Sequence, residues 1–133
     1  MTQYLLDTNT CIRYLNGRAP AIRTRLHQHS PQDIVVCSVV KAELWFGAQR
    51  STNPARAFAA QQQFLSAFVS LPFDDRAATE YARIRADLTA KGTPIGPNDL
   101  LIAAIALAHA VILVTHNTHE FQRIVGLHLE DWE

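Results

Sequence analysis

Short apolar runs alternate along this chain with longer segments in which apolar residues recur every three or four positions. The short runs are residues 3–6, 34–37 and 111–114, with weaker ones at 69–73 and 127–129. Runs of this length, separated by helical patterns, are typical of a parallel sheet covered by helices. Pro72 cannot donate a hydrogen bond to a neighbouring strand, so residues 69–73 are predicted to form an edge strand.

The helical pattern predicts six helices, with capping residues at several of their ends. They span residues 8–15, 20–29 and 39–49, begin near Pro54, and follow the N-cap residues Asp74 and Asn98. Ser38 is the predicted N-cap of the third helix, and Gly92 is the residue expected to end the fifth. The sixth helix, from Asp99, is apolar nearly all round and is therefore predicted to be buried. Residues 115–121 are expected to form a loop or a single turn.

The length and composition fit one domain with a real core. The chain has 133 residues, of which 48% are hydrophobic, so residues 1–133 are predicted to fold as a single domain. No apolar run reaches the roughly 18 residues of a membrane span, and the N-terminus does not resemble a signal peptide. We therefore expect a cytoplasmic protein without membrane contact. Cys11 and Cys37 are expected to be buried free thiols.

The formal net charge is zero, which is unusual for a protein that binds nucleic acid. However, most of the basic residues are arginine, whose side chain is best shaped for phosphate. Arg13, Arg18, Arg23 and Arg25 fall on the first two predicted helices. Two interpretations stay open: these arginines form a patch that faces phosphate, or they are scattered solvated charges.

Four acids fall near the predicted edge of the sheet where its strands end. Asp7 closes the first strand, Asp99 opens the buried helix, Glu43 lies within the helix after the second strand, and Glu120 follows the fourth strand. Each has a structural interpretation: a helix cap for Asp7, a first-turn acid for Asp99, an arginine partner for Glu43 and a surface acid for Glu120. However, no lysine or arginine stands next to Asp7 or Asp99 in the sequence.

Carboxylates that converge on one edge of a sheet repel one another, and a divalent cation relieves that repulsion. Hard oxygen ligands that leave room for water suit Mg²⁺, or Mn²⁺ as a substitute, rather than zinc. Such a site suits hydrolysis of a phosphodiester, because the cation activates water and offsets charge on the phosphate. Whether one ion or two would bind is left open.

Two other functions compete with this hypothesis. A phosphohydrolase with an aspartyl nucleophile would place its nucleophile at Asp7, but it needs a second acid at position 9, where this chain has Asn9. The other is a non-catalytic module whose acidic pocket binds a partner. His116 and His119, near the proposed site, are expected either to contact phosphate or to belong to a polar turn.

At these acids the sequence resembles the PIN-domain ribonucleases, and among them the VapC toxins of type II toxin–antitoxin pairs. The resemblance rests on Tyr4-Leu5-Leu6-Asp7-Thr8-Asn9, on Ser38 to Glu43 with Gly47, on Lys91 to Asp99 with Ala103-Ala104, on Leu113 to Asn117 with Glu120-Phe121, and on Glu130-Asp131-Trp132. It therefore covers nearly the whole chain. It implies a three-layer α/β/α fold around a central, mainly parallel sheet of four to five strands.

The resemblance also implies roles for individual residues. Asp7, Glu43 and Asp99 match the three catalytic acids of the family, and Asp7 and Asp99 would be the metal ligands. Thr8, Asn9 and Thr115 match small polar residues that support the site. The fourth catalytic acid departs from the broad family pattern. Here Glu120 is the available acid, and Asn117 is the alternative at that position.

The implied function is that of a Mg²⁺-dependent endoribonuclease that acts as a toxin on specific RNA, with tRNA as the expected substrate. The implied partner is a cognate VapB-like antitoxin whose tail covers the acidic pocket, often with an arginine, which a free carboxylate pocket would bind in bidentate fashion. The resemblance further implies a homodimer that meets DNA only through the antitoxin.

Overall fold

A computed structural model describes residues 2–133 and places five parallel strands in one sheet. The strands are β1 (Tyr4–Leu6), β2 (Ile34–Cys37), β3 (Val69–Leu71), β4 (Ile112–Val114) and β5 (Leu129–Glu130). Their order across the sheet is β3-β2-β1-β4-β5, and every neighbouring pair is parallel. The predicted edge position of residues 69–73 is confirmed, with the strand ending just before Pro72.

Helices cover the sheet, so the predicted three-layer α/β/α fold is confirmed. Within residues 2–133 they are α1 (Thr8–Leu15), α2 (Pro20–His27), α3 (Ser38–Gln49), α4 (Pro54–Leu65), α5 (Asp75–Lys91), α6 (Pro97–Ala108) and the single turn α7 (Thr118–Phe121), with a 3₁₀ turn at Pro31–Asp33. None of the described helices is long and apolar enough to cross a lipid bilayer.

The core lies between the sheet and the helices. Strand β2 is buried along its whole length, and five consecutive residues of α6 from Ile102 to Ala106 are fully buried, as the pattern predicted for this helix. Cys11 and Cys37 are buried free thiols. Burial raises the pKa of both groups, that of Cys37 to about 11, which fits the predicted role of small apolar residues.

Two predicted helix caps are wrong. Cys37 rather than Ser38 precedes the first turn of α3, and no side chain caps that end. Gly96 rather than Asn98 is the N-cap of α6, because Pro97 already fits the first helical position with its fixed φ and missing N–H. Asn98 therefore lies in the first turn, where its side chain is free to reach another element. The predicted caps Asp74 and Gly92 of α5 are confirmed.

The order of the strands determines where a site can form. From β1 the chain moves to β2 and β3 on one side, and later returns to place β4 and β5 on the other. The order thus reverses between β1 and β4, the place where open parallel sheets form ligand crevices beyond their carboxyl ends.

Candidate functional site

Asp7 lies at the reversal point, between β1 and α1. Its backbone N–H donates to the carbonyl of Val114, and its Oδ1 accepts from the backbone N–H of Thr10 at 2.8 Å. The carboxylate is the N-cap of α1, so the structural interpretation of this residue also holds. Only 5% of Asp7 is exposed. Burial raises its pKa, although hydrogen bonds from Thr115 and Thr10 partly oppose that change.

Glu43 reaches the same region from the middle of α3. Its Oε1 accepts a short hydrogen bond from the hydroxyl of Thr8, and its Oε2 accepts from Asn98 Nδ2 at 3.2 Å. The arginine partner considered for Glu43 is not found within residues 2–133. Neutral donors from the starts of α1 and α6 therefore fix this carboxylate without cancelling its charge.

Asp99 lies in the first turn of α6 and is half-buried. Burial raises its pKa to about 6, and the negative charges of Glu120, Asp7 and Glu43 add to the effect. The repulsion expected from converging carboxylates is therefore present at this residue.

Glu120 lies in α7, opposite the start of α6. Its Oε1 accepts from the backbone N–H of Gly96 at 2.9 Å, and its Oε2 accepts from Asn117 Nδ2 at 3.2 Å. The hydrogen bond from Gly96 is the main reason why its pKa is lowered. Asn117 in turn donates its backbone N–H to the buried hydroxyl of Thr115 at 3.0 Å. Glu120 thus joins the acids, and Asn117 holds it in place.

These four acids have no cationic partner in the part of the chain described: the ion pairs found there all use other carboxylates. Their ligand atoms do not form a group of three within 4.8 Å of one another. A hard cation that keeps several waters needs only one or two carboxylates as direct ligands. The donor set, oxygen only and negatively charged, fits Mg²⁺ or Mn²⁺.

Two cavities flank the acids and meet at α1. One, of about 460 Å³, is lined by Asp7 together with arginine, histidine and amide side chains. The other, of about 540 Å³, is lined by Glu43 and Asn98 together with apolar residues, Thr8, Asn9 and Arg50. Asn9 and Ile12 border both cavities, so the two cavities adjoin and form a groove that Asp7 and Glu43 line.

Some contacts of this region were not predicted. Asn98 was expected only as a cap, yet it contacts Glu43. His116, Asp131 and Glu133 form an exposed cluster beside Asp7, with His116 Nδ1 2.9 Å from Asp131 Oδ2. The position of Asn98 directly before Asp99 could have indicated that Asn98 lies in the site. No local pattern could have brought residue 116 to residues 131 and 133, since tertiary folding alone joins them.

Comparison with known proteins places the chain in one family. A family model described as "PIN domain" matches residues 4–127. The "tRNA(fMet)-specific endonuclease VapC" of Salmonella typhimurium is 39% identical over 132 residues, 99% of each chain, and the "Ribonuclease VapC2" of Haemophilus influenzae is 37% identical with the same coverage.

Solved structures agree with this placement. A crystal structure of DNA-bound VapBC from Salmonella typhimurium contains a chain that is 38% identical, with a TM-score of 0.94 and full coverage of both chains. VapBC2 from Rickettsia felis, bound to a fragment of its promoter DNA, has a chain that is 34% identical with the same TM-score, covering 99% of this chain and 100% of that one. The chain belongs to the PIN-domain family, and within it to the VapC-like ribonuclease toxins.

Proposed function

We propose that this chain is a divalent-metal-dependent endoribonuclease that hydrolyses phosphodiester bonds of specific RNA as the toxin of a toxin–antitoxin pair. The observation that carries the proposal is the convergence of Asp7, Glu43 and Asp99 from three separate elements, without a cationic partner in residues 2–133. Uncompensated carboxylates at this density are unfavourable for folding and are retained where they serve chemistry. The single nuclease domain over residues 1–133 is part of the same proposal.

Each acid has a distinct task in this proposal. Asp7 and Asp99 would hold Mg²⁺, or Mn²⁺ in its place. When bound, the cation makes water a stronger acid and offsets negative charge on the phosphate. Glu43, whose two oxygens are already fixed by Thr8 and Asn98, orients the attacking water and accepts its proton.

The supporting residues keep this arrangement in place. A side-chain hydrogen bond from Thr115 favours the ionised form of Asp7, and Asn117 donates a hydrogen bond to Glu120. Asn9 is exposed in the groove between the two cavities, where it can donate to RNA.

For the substrate we propose tRNA, since the relatives from Salmonella typhimurium and Shigella flexneri are named tRNA(fMet)-specific endonucleases. We expect the enzyme to act in the cytoplasm. Sequence-specific recognition of RNA usually targets single-stranded loops, so we expect cleavage at exposed nucleotides of the tRNA.

The second proposed partner is a VapB-like antitoxin, as VapBC complexes of similar chains suggest. Ile12 and Phe46 border the cavity beside Glu43 and are 41% and 62% exposed. Apolar exposure next to unpaired acids suits a peptide that presents apolar side chains and an arginine. A homodimer, with DNA contacted only through the antitoxin, completes the proposal.

The test of the substrate is to sequence RNA ends after brief induction of the chain in bacteria. We expect new ends at one position in a small set of tRNAs, because two similar proteins are named for a single tRNA. An Asp99→Asn protein, expressed to the same level, is the control and should give none of these ends. New ends spread evenly over messenger and ribosomal RNA would contradict the proposed specificity.

The fourth position can be decided by a pair of substitutions. Glu120→Gln is expected to lower the cleavage rate by about 10-fold to 100-fold, because the change removes a negative charge beside Asp99 and weakens cation binding. Asn117→Ala should lower it less, since Gly96 still holds Glu120. Manganese affinity, measured by calorimetry, checks the assignment. A loss of affinity in Asn117→Ala alone would show that Asn117, not Glu120, fills the position.

A further inference from the structure

The cavity beside Asp7 is lined mainly by polar side chains. Its volume is about 460 Å³, and its polar side chains, apart from Asp7 and Glu133, are arginine, histidine or asparagine: Asn9, Arg13, Asn16, Arg18, His116 and Asn117. Arginines that adjoin a carboxylate centre can attract one anionic group while the neighbouring group of the same polymer enters the acids. The backbone of RNA supplies anionic groups at that regular spacing.

Arg18 is the arginine of this cavity that forms no ion pair in the part of the chain described. Its backbone N–H donates to the carbonyl of Arg13 and to Asn16 Oδ1, both at 3.2 Å, and Gly17 makes the preceding turn with φ +70°. The main chain is thus held at the end of α1. Its guanidinium has no carboxylate within 4.0 Å in the part of the chain described, and the residue is exposed.

Arg13 and His116 both lie against acids of the C-terminal segment. Arg13 Nε lies 2.6 Å from Glu133 Oε1, yet this buried N–H has no hydrogen-bond acceptor in a suitable direction. His116 Nδ1 lies 2.9 Å from Asp131 Oδ2 and 3.8 Å from Glu133 Oε2. Glu133 therefore places its carboxylate between Arg13 and His116, where an incoming phosphate would otherwise bind.

We propose that this cavity is a subsite for a backbone phosphate of the RNA next to the phosphate that is cleaved. Arg18 contacts that phosphate and is a positioning residue, because its planar fork matches phosphate oxygens. Glu133 competes with the phosphate for Arg13 and limits the affinity of the subsite. The inference rests on the proposed function and adds a binding role for residues outside the four acids. Arg23 and Arg25 are excluded from it, since Arg23 packs over Tyr14 and Arg25 pairs with Glu130.

Arg18→Ala tests the subsite, with tRNA(fMet) as the probe. Dissociation constants are measured by filter binding in EDTA at several salt concentrations, and KM and kcat are measured with Mg²⁺. We expect both the dissociation constant and KM to rise about 5-fold to 20-fold, with kcat changed less than about 2-fold and the salt slope reduced by about 0.7 to 0.9. The matched control is Arg83→Ala on α5, whose guanidinium pairs with Glu80, and it should behave like the wild type.

Glu133→Gln provides a test of opposite sign. Removing this charge frees Arg13 and should lower the dissociation constant and KM about 2-fold to 5-fold. The inference is overturned if Arg18→Ala leaves binding and salt slope unchanged, or if Glu133→Gln weakens binding. Wild-type protein that binds this tRNA without cleaving it would contradict the proposed nuclease function instead, and the binding data would still decide on the subsite.

Discussion

Asp7→Asn is expected to reduce RNA cleavage by at least about 10³-fold while the protein remains folded. Loss of one charged cation ligand removes several kcal/mol of transition-state stabilisation. The fold should persist because asparagine caps helices as well as aspartate does, and its Oδ1 can still accept from Thr10. Cleavage is measured on tRNA with saturating Mg²⁺, and folding by the thermal midpoint of the metal-free protein.

The matched control is Asp7→Ala, which removes the cap together with the charge. It should be as inactive as Asp7→Asn but less stable than that variant by about 1 kcal/mol, the usual contribution of an N-cap. At neutral pH, Asp7→Asn should be at least as stable as the wild type, because a buried carboxylate with a raised pKa no longer has to ionise. Near wild-type cleavage by Asp7→Asn would remove Asp7 from the catalytic set.

The second large effect concerns Asp99, where we expect stability to fall and cation affinity to rise as the pH increases. Its pKa is raised from 3.8 to about 6 in the folded chain. The stability that this group contributes is therefore fully present below about pH 3.8 and is lost as the pH rises through about 6. Cation binding needs the ionised carboxylate, so affinity for Mn²⁺ should increase over the same interval. Cleavage should rise with it and disappear in EDTA.

Thermal midpoints of wild type and Asp99→Asn, recorded with EDTA at pH 5.0 and 7.5, report this group and its coupling to the neighbouring acids, because the titrations of distant groups cancel in the difference. At pH 7.5 the variant should be more stable by on the order of 1 kcal/mol, after allowance for the partial exposure of the side chain. At pH 5.0 the difference should be smaller. Saturating Mn²⁺ should stabilise the wild type at pH 7.5 and the variant much less. A variant that is less stable at both pH values would show that the charge of Asp99 is already compensated within the protein.

The fold was largely predictable because its signals are local. Four-residue apolar runs such as Ile34 to Cys37 and the wholly apolar face of α6 report burial directly. The N-cap Asp74 and the left-handed Gly92 at the end of α5 were also predicted from residue type alone. Ser38 and Asn98 were wrongly predicted as caps, because a residue type that suits a cap also suits the first turn, and Pro97 decided the start of α6.

The candidate site was predictable in its acids but not in its contacts. The predicted strands and helices indicated Asp7, Glu43, Asp99 and Glu120, and the resemblance assigned catalytic roles to them. The roles of neutral neighbours depend on distances across the sheet: Thr8 and Asn98 reach Glu43 from two different helices, and the Gly96 N–H reaches Glu120. Such contacts join residues 24 to 55 positions apart, so no local pattern encodes them.

The central claim is that Asp7 and Asp99 jointly hold the divalent cation on which cleavage depends. The most direct measurement is anomalous diffraction from crystals of the wild-type chain soaked in Mn²⁺ at a concentration that supports cleavage. The account predicts a peak within about 2.0 to 2.3 Å of a carboxylate oxygen of each residue. A peak at His116, Asp131 and Glu133 instead, with none between Asp7 and Asp99, would contradict it.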